Sequence, residues 1–202
     1  MIISDRERQA PIKIEEAEPS HLARYDFALN YINDIDKVLD IPCGTGYGTK
    51  LISSKSSSVV GIDICPDAIE HAKEFFDASN IRYIVANAEN LKDVLPKSDY
   101  FDVVISFEGI EHLNNQNLFL DGVNRLLKKN GTFIISTPRK PHGSPYHTIE
   151  YSLEEFELIL SKFFIIEKMF GQIYTDIFDL KTRDVNPHSF KRFNYIAVCR
   201  KR

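Results

Sequence analysis

Val38-Leu39-Asp40-Ile41-Pro42-Cys43-Gly44-Thr45-Gly46-Tyr47-Gly48-Thr49 is an apolar run that turns through three glycines and enters a helical pattern. Residues 37–41 read as a buried strand and 47–55 as a helix. Glycine tolerates positive φ and lets backbone N–H groups come close to a ligand at a helix start. The pattern is D-x-x-C-G-x-G-x-G. It is not the dinucleotide fingerprint, because Thr49 stands where a third glycine or alanine belongs, and it lacks the G-K-[ST] of a P-loop. Alone, the stretch also fits a tight strand-to-helix turn, so its surroundings decide.

Working outward, strand-like runs recur at 58–63, 81–86, 101–106 and 131–136. They are short, apolar and β-branched, as in strands covered on both faces. Helical stretches at 66–78 and 114–129 separate them, the second ending at Asn130-Gly131. A helix at 152–161 opens with Ser152-Leu153-Glu154-Glu155, a capping box. Strand candidates follow at 163–170 and 193–199. Before the first strand, 20–33 carries Leu22, Tyr25, Leu29 and Ile32 at helical spacing, with Ser20 as its cap. Alternation of this kind predicts an α/β, doubly wound, Rossmann-like sheet with helices on both faces. Residues 1–19, polar and proline-punctuated, read as an N-terminal arm, and 20–202 as one domain. The linker 171–190 is long; Tyr174, Ile177, Phe178 and Leu180 form either a packed helical turn or a pocket wall.

Ligands in such sheets sit beyond the carboxyl ends of the strands. The second strand ends in Asp63, nineteen residues past Gly44, where a carboxylate can accept both hydroxyls of a ribose. The third runs into Asn87-Ala88-Glu89, suited to an adenine edge. The fourth runs into Phe107-Glu108-Gly109-Ile110-Glu111-His112.

Taken in order, these four motifs resemble those of the class I S-adenosylmethionine-dependent methyltransferases, over about residues 20–170. The likeness is strongest to a bacterial-type group often linked to glycan or natural-product biosynthesis, through HLARYDFA, VLDIPCGTGYGT, VVGIDICPDAIEHA, FDVVISFEGIEHL, NGTFIISTPRK and HTIEYSLEEFELIL. The resemblance implies a seven-stranded, mostly parallel sheet with an antiparallel last strand. It implies S-adenosylmethionine as cofactor, S-adenosylhomocysteine as product, and a cofactor site of Arg24, Asp40, Cys43, Gly44, Gly46, Asp63, Ile64, Asn87, Ala88, Glu89 and Phe107. Asp40, Gly44 and Gly46 would meet the methionine moiety and Asp63 the ribose. Arg24 and Tyr25 either close over the methionine carboxylate or form plain helix surface. Asn87 and Pro42 depart from the family's usual Asp and Gly or Ala.

A hydroxyl acceptor needs somewhere to put its proton. The candidates are Glu111, His112 and His147. If 108–113 formed a helical turn, Glu108, Glu111 and His112 would share one face. The E-x-x-E-H with a downstream H-x-x-E-Y is also similar to the small-RNA 2′-O-methyltransferases and the ubiquinone-pathway O-methyltransferases. In the RNA enzymes the corresponding groups hold a divalent metal, which would place Glu108, Glu111, His112 and His147 around an ion. Packing, metal-free proton transfer and metal binding all remain open, and a metal is not the favoured reading. Cys43 reads as a packing residue beside the loop, and His21, His71 and His188 as surface or cap residues.

Twenty-five Lys and Arg against 29 Asp and Glu give a net charge of −4. No global basic field holds a nucleic-acid backbone, so nucleic acid is not the expected partner. The segment from Asp179 to Arg202 is basic and reads as a solvated tail and edge strand. Three cysteines without a C-x-x-C pair suit a reducing cytosol. No apolar run approaches the length of a membrane span. The expectation is a cytoplasmic monomer or homodimer that methylates O or N of a small molecule, most plausibly a sugar or glycan precursor. The rivals are a metal-assisted RNA 2′-O-methyltransferase, a nicotinamide oxidoreductase and a non-catalytic cofactor-binding domain.

Overall fold

The apolar runs become neighbouring strands because burial on both faces suits their β-branched side chains. The computed structural model describes residues 8–95 and 97–202. Strands β1 (Lys37–Asp40), β2 (Ser58–Asp63), β3 (Ile81–Val85), β4 (Phe101–Phe107) and β5 (Leu127–Pro138) are joined by crossover helices. These are α2 (Tyr47–Ser53), α3 (Pro66–Phe75), α4 (Leu91–Val94) and α5 (Gln116–Leu126). Helix α6 (Leu153–Ser161) leads to β6 (Phe164–Ile173), β7 (Asp176–Asp179) and β8 (Asn194–Lys201), and α1 (Pro19–Leu29) precedes β1. The sheet order is β3-β2-β1-β4-β5-β8-β6-β7. Strands β1 to β5 are parallel, and β8 lies antiparallel between β5 and β6. The order reverses between β1 and β4, which opens a crevice at their carboxyl ends.

Each face has its own core. On one, Leu39, Val104, Phe133 and Ile135 pack against Phe119, Leu120 and Val123 of α5 and Phe156 and Leu160 of α6. On the other, Val38, Val103, Ile105 and Ile134 pack against Tyr25 and Ala28 of α1 and Ile52 of α2. The capping box of α6 forms: Glu155 N–H donates to the Ser152 hydroxyl and Ser152 N–H to the Glu155 carboxylate.

In the sheet and its flanking segments the structure departs from the sequence expectations in four places. The sheet has eight strands, not seven, because the start of the 171–190 linker folds back as a β-hairpin. Its turn is at Tyr174, with φ 55°. Tyr174, Ile177, Phe178 and Leu180 therefore do not share a helical turn. Phe178 packs edge-to-face on Phe193, with centroids 6.2 Å apart, while Tyr174 is exposed. The helix expected over 114–129 ends at Leu126, since Leu127 pairs with Phe101 and starts β5, leaving Asn130 and Gly131 inside the strand. The cap of α1 is Glu18 with Pro19 next, and the Ser20 hydroxyl instead donates to the Glu18 carboxylate. The basic C-terminal segment is knitted into the sheet: Arg200 pairs with Glu167 and Lys201 with Asp99.

Candidate active site

The glycine loop crosses from β1 to α2 at the switch point. Gly44 has φ +54° and Gly46 φ +90°, left-handed conformations that side chains resist. The two differ in surroundings. A Cβ on Gly46 would stand 2.6 Å from Ala72 Cβ and 2.8 Å from the Tyr83 hydroxyl, whereas one on Gly44 meets nothing within 4 Å. Gly46 is thus required by packing, and Gly44 faces open space. Behind the loop, Asp40 is fully buried. Thr49 donates to its Oδ2 at 2.6 Å and Tyr25 to its Oδ1 at 3.3 Å. Burial raises its pKa to about 7 against the pull of these hydrogen bonds. The Cys43 side chain is buried among the loop and α3, and burial pushes its thiol up.

Asp63 closes the β2 end. Its Oδ2 accepts from Gly44 N–H at 2.9 Å and its Oδ1 from Cys65 N–H at 2.9 Å. Arg8 adds an ion pair of 3.1 Å to Oδ1. The segment that carries Arg8 lies across the loop: Thr45 Oγ1 donates to the Gln9 carbonyl, and His71 Nε2 to the Pro11 carbonyl at 2.7 Å. Ile64 beside Asp63 is exposed, and Phe107 at the β4 end packs edge-to-face on Tyr25 at 5.1 Å. Asn87 accepts from Glu89 N–H and caps a short turn over Ala88–Asn90. The Glu89 carboxylate is held by the N–H groups of Asn114 and Asn115.

Beyond β4 the chain does not form the helical turn that would align Glu108 with Glu111 and His112. Only Ile110–His112 make a 3₁₀ turn, and Glu108 has φ 49° outside it. The two acids consequently point to different partners. Glu108 meets Arg24 at 3.0 Å, His21 at 3.4 Å and the Asn194 amide. These charges hold its carboxyl below the usual range despite burial. Glu111 is 1% exposed and receives the Thr137 hydroxyl at 3.2 Å on Oε2, while Oε1 has no hydrogen-bond partner among the described residues. Burial, with the Glu108 charge adding to it, raises its pKa to about 8. The donor atoms of Glu111, His112 and His147 lie within 4.8 Å of one another. Glu108 is outside that group, so of the four residues that the likeness to the RNA enzymes would place around an ion, three come together. The His112 and His147 rings meet edge-to-face at 4.9 Å. His112 Nδ1–H donates to the Tyr146 carbonyl at 3.1 Å, which fixes its tautomer and leaves the Nε2 lone pair free in the neutral ring.

A family model described as a methyltransferase domain matches residues 32–177. The chain belongs to the class I S-adenosylmethionine-dependent methyltransferases. It is 32% identical over 143 residues to a "probable S-adenosylmethionine-dependent methyltransferase" of Mycolicibacterium smegmatis, covering 66% of this chain and 54% of that one. It is 39% identical over 106 residues to the ubiquinone biosynthesis O-methyltransferase of Pelagibacter ubique, covering 52% and 42%. The chain spans about half the length of the curated relatives it matches. The fold matches the N-methyltransferase NodS of Bradyrhizobium japonicum WM9, solved with S-adenosylhomocysteine, with TM-score 0.69 over 92% of this chain and 89% of that one at 16% identity.

Within this methyltransferase, Arg24 is not helix surface. It is 2% exposed, with Nη1 donating to Gln172 at 2.7 Å and Nη2 on Glu108. The three histidines first read as surface or cap residues all have partners. His21 Nδ1 meets Tyr47 and Gln9, each at 3.0 Å, His71 holds Pro11, and His188 accepts from Arg139 Nη1 at 3.0 Å. Arg8, Gln9, Thr137 and Thr148 were missed. The first two sit in a segment without pattern, and the hydroxyls gain meaning only through folding. Thr148, for example, holds the Glu111 carbonyl by both N–H and hydroxyl.

Proposed function

We propose that the chain transfers the methyl group of S-adenosylmethionine to a hydroxyl oxygen of a small molecule, with a sugar or glycan precursor as the leading acceptor class. The observation that carries this is the His112 tautomer. Its Nδ1 proton is committed to the Tyr146 carbonyl, so Nε2 is the atom that accepts a proton. Methyl transfer from a sulfonium is an in-line displacement, and alignment with exclusion of water is most of what the protein supplies. The acceptor oxygen forms a bond to the methyl carbon as the carbon–sulfur bond breaks. Its proton passes to the His112 and His147 pair, beside which Glu111 lies buried. Gly44 and Asp63 would face the cofactor across the crevice. The O-methyltransferase relative supports oxygen over nitrogen as acceptor atom. A cytoplasmic location and a monomeric or homodimeric state belong to the same reading.

A metal-assisted version has one observation of its own: the Glu111, His112 and His147 donors converge, and Glu111 Oε1 is unpartnered among the described residues. Those three residues would hold the ion, which would polarise the acceptor hydroxyl. Transfer of labelled methyl to sugars, nucleotide-sugars, catechols and a short RNA separates the readings. Small-molecule labelling that survives EDTA is expected. His112→Ala should slow it by about a hundredfold or more while S-adenosylhomocysteine affinity stays nearly unchanged, as for loss of a general base. Labelling of RNA alone, or an unchanged rate in His112→Ala, would overturn the proposal.

A further inference from the structure

The loop between β5 and α6 carries a second group of metal-ligating side chains, of which His142 and Glu150 have no part in the reading above and His147 is shared with it. His142 and His147 stack with centroids 4.8 Å apart and planes inclined by 20°. Glu150 Oε1 lies 3.6 Å from His147 Nδ1. The Glu150 carboxylate is locked in place by the loop's own backbone: His142 N–H donates to Oε2 at 2.9 Å and Gly143 N–H to Oε1 at 2.6 Å. Two imidazoles and one carboxylate thus present one donor each within 4.8 Å. We propose that His142, His147 and Glu150 form a divalent transition-metal site of the zinc class on this loop.

The chemistry selects the ion. Two imidazoles with one carboxylate match Zn²⁺ and its first-row neighbours, whereas Ca²⁺ and Mg²⁺ prefer all-oxygen sets. Metal–ligand bonds of about 2.0–2.2 Å in tetrahedral geometry put donors about 3.3 Å apart, so closing the site takes a movement of up to about 1.5 Å and a turn of the stacked rings that lets their in-plane lone pairs converge. His142 is exposed and can supply that movement by side-chain rotation. Three protein ligands leave a fourth position for water. The rival set around Glu111 is harder to reach: Glu111 is 1% exposed, and its carbonyl is pinned by Thr148 and Ile149. The two sets share His147. An ion on the loop set therefore holds the imidazole that the proposed methyl transfer draws on, and zinc occupancy would lower turnover. That consequence rests on the functional reading; the binding itself does not.

The test is a Co²⁺ titration of the full chain followed by visible absorption, paired with Zn²⁺ calorimetry. One ion per chain is expected. His142→Ala and Glu150→Gln should each weaken binding about tenfold or more, while Glu111→Gln and His112→Ala stay within about threefold of the parent. His142→Ala leaves the backbone brace on Glu150 intact and so separates ligation from loop stability. Melting temperatures confirm folding, and His142→Asn replaces any variant that fails. Absence of binding at millimolar metal overturns the proposal. So does loss in Glu111→Gln or His112→Ala with retention in His142→Ala, and so does a sulfur-to-cobalt charge-transfer band, which would put the ion on a cysteine.

Discussion

Gly44 and Gly46 look equivalent as letters, yet the structure separates them. Both have positive φ, so alanine at either carries a backbone cost of about 1 kcal/mol. At Gly46 the new Cβ also collides with Ala72 and Tyr83; at Gly44 it enters the open crevice. Gly46→Ala should therefore lower the melting temperature strongly, by the combined strain and overpacking of about 2–4 kcal/mol. Gly44→Ala should melt close to the parent but lose most of its affinity for S-adenosylhomocysteine in calorimetry. Equal loss of stability in both variants would mean that Gly44 is held by packing and not by a ligand. Glu108 and Glu111 are a second pair that spacing alone misjudges. The positive φ of Glu108 turns one carboxylate toward Arg24 and α1, and the other toward Thr137 and the histidines.

At the scale of elements, the segment before α1 is the unexpected part of the cofactor crevice. It is tied to Asp63 by Arg8, to Thr45 and His21 by Gln9, and to His71 by the Pro11 carbonyl. Arg8 occupies the carboxylate that the family likeness gives to the ribose hydroxyls. If Asp63 takes the ribose as that likeness implies, cofactor and Arg8 compete for it. Arg8→Ala should tighten S-adenosylhomocysteine binding by about two- to fivefold, the size of a partly exposed ion pair of up to ~1 kcal/mol. A weaker affinity in that variant would instead mean that Arg8 closes over bound cofactor. The hairpin of β6 and β7 also belongs to this scale: its backbone pairing overrode the apolar spacing that resembled a helical turn.

For the whole molecule, two buried carboxyls set a pH dependence. Asp40 rises from 3.8 to about 7 and Glu111 from 4.5 to about 8, each mainly through burial. A raised folded-state pKa means that the native state keeps a proton the unfolded chain has lost, so the stability of these groups is fully present below about pH 4. It declines as pH rises and is lost through the folded-state pKa values of about 7 and 8. Glu111→Gln should flatten the part of that decline between pH 4.5 and 8 and make the variant more stable than the parent at pH 8, by on the order of a few kcal/mol. Urea unfolding across the pH series measures it, and parallel curves for the two proteins would show that Glu111 ionises normally. The sequence by itself determined the strand–helix alternation, the glycine loop after β1 and the acidic β2 end. Each is local: hydrophobic period, turn chemistry and capping are carried by residues a few positions apart. Tertiary structure alone decided the eighth strand, the end of α5, the burial that raises the Glu111 pKa, the divorce of Glu108 from its neighbours and the placement of Arg8 on Asp63. These depend on backbone pairing and side-chain contact between residues far apart in the chain, as across the 148 positions between Arg24 and Gln172, and such contacts leave no periodic trace in the sequence.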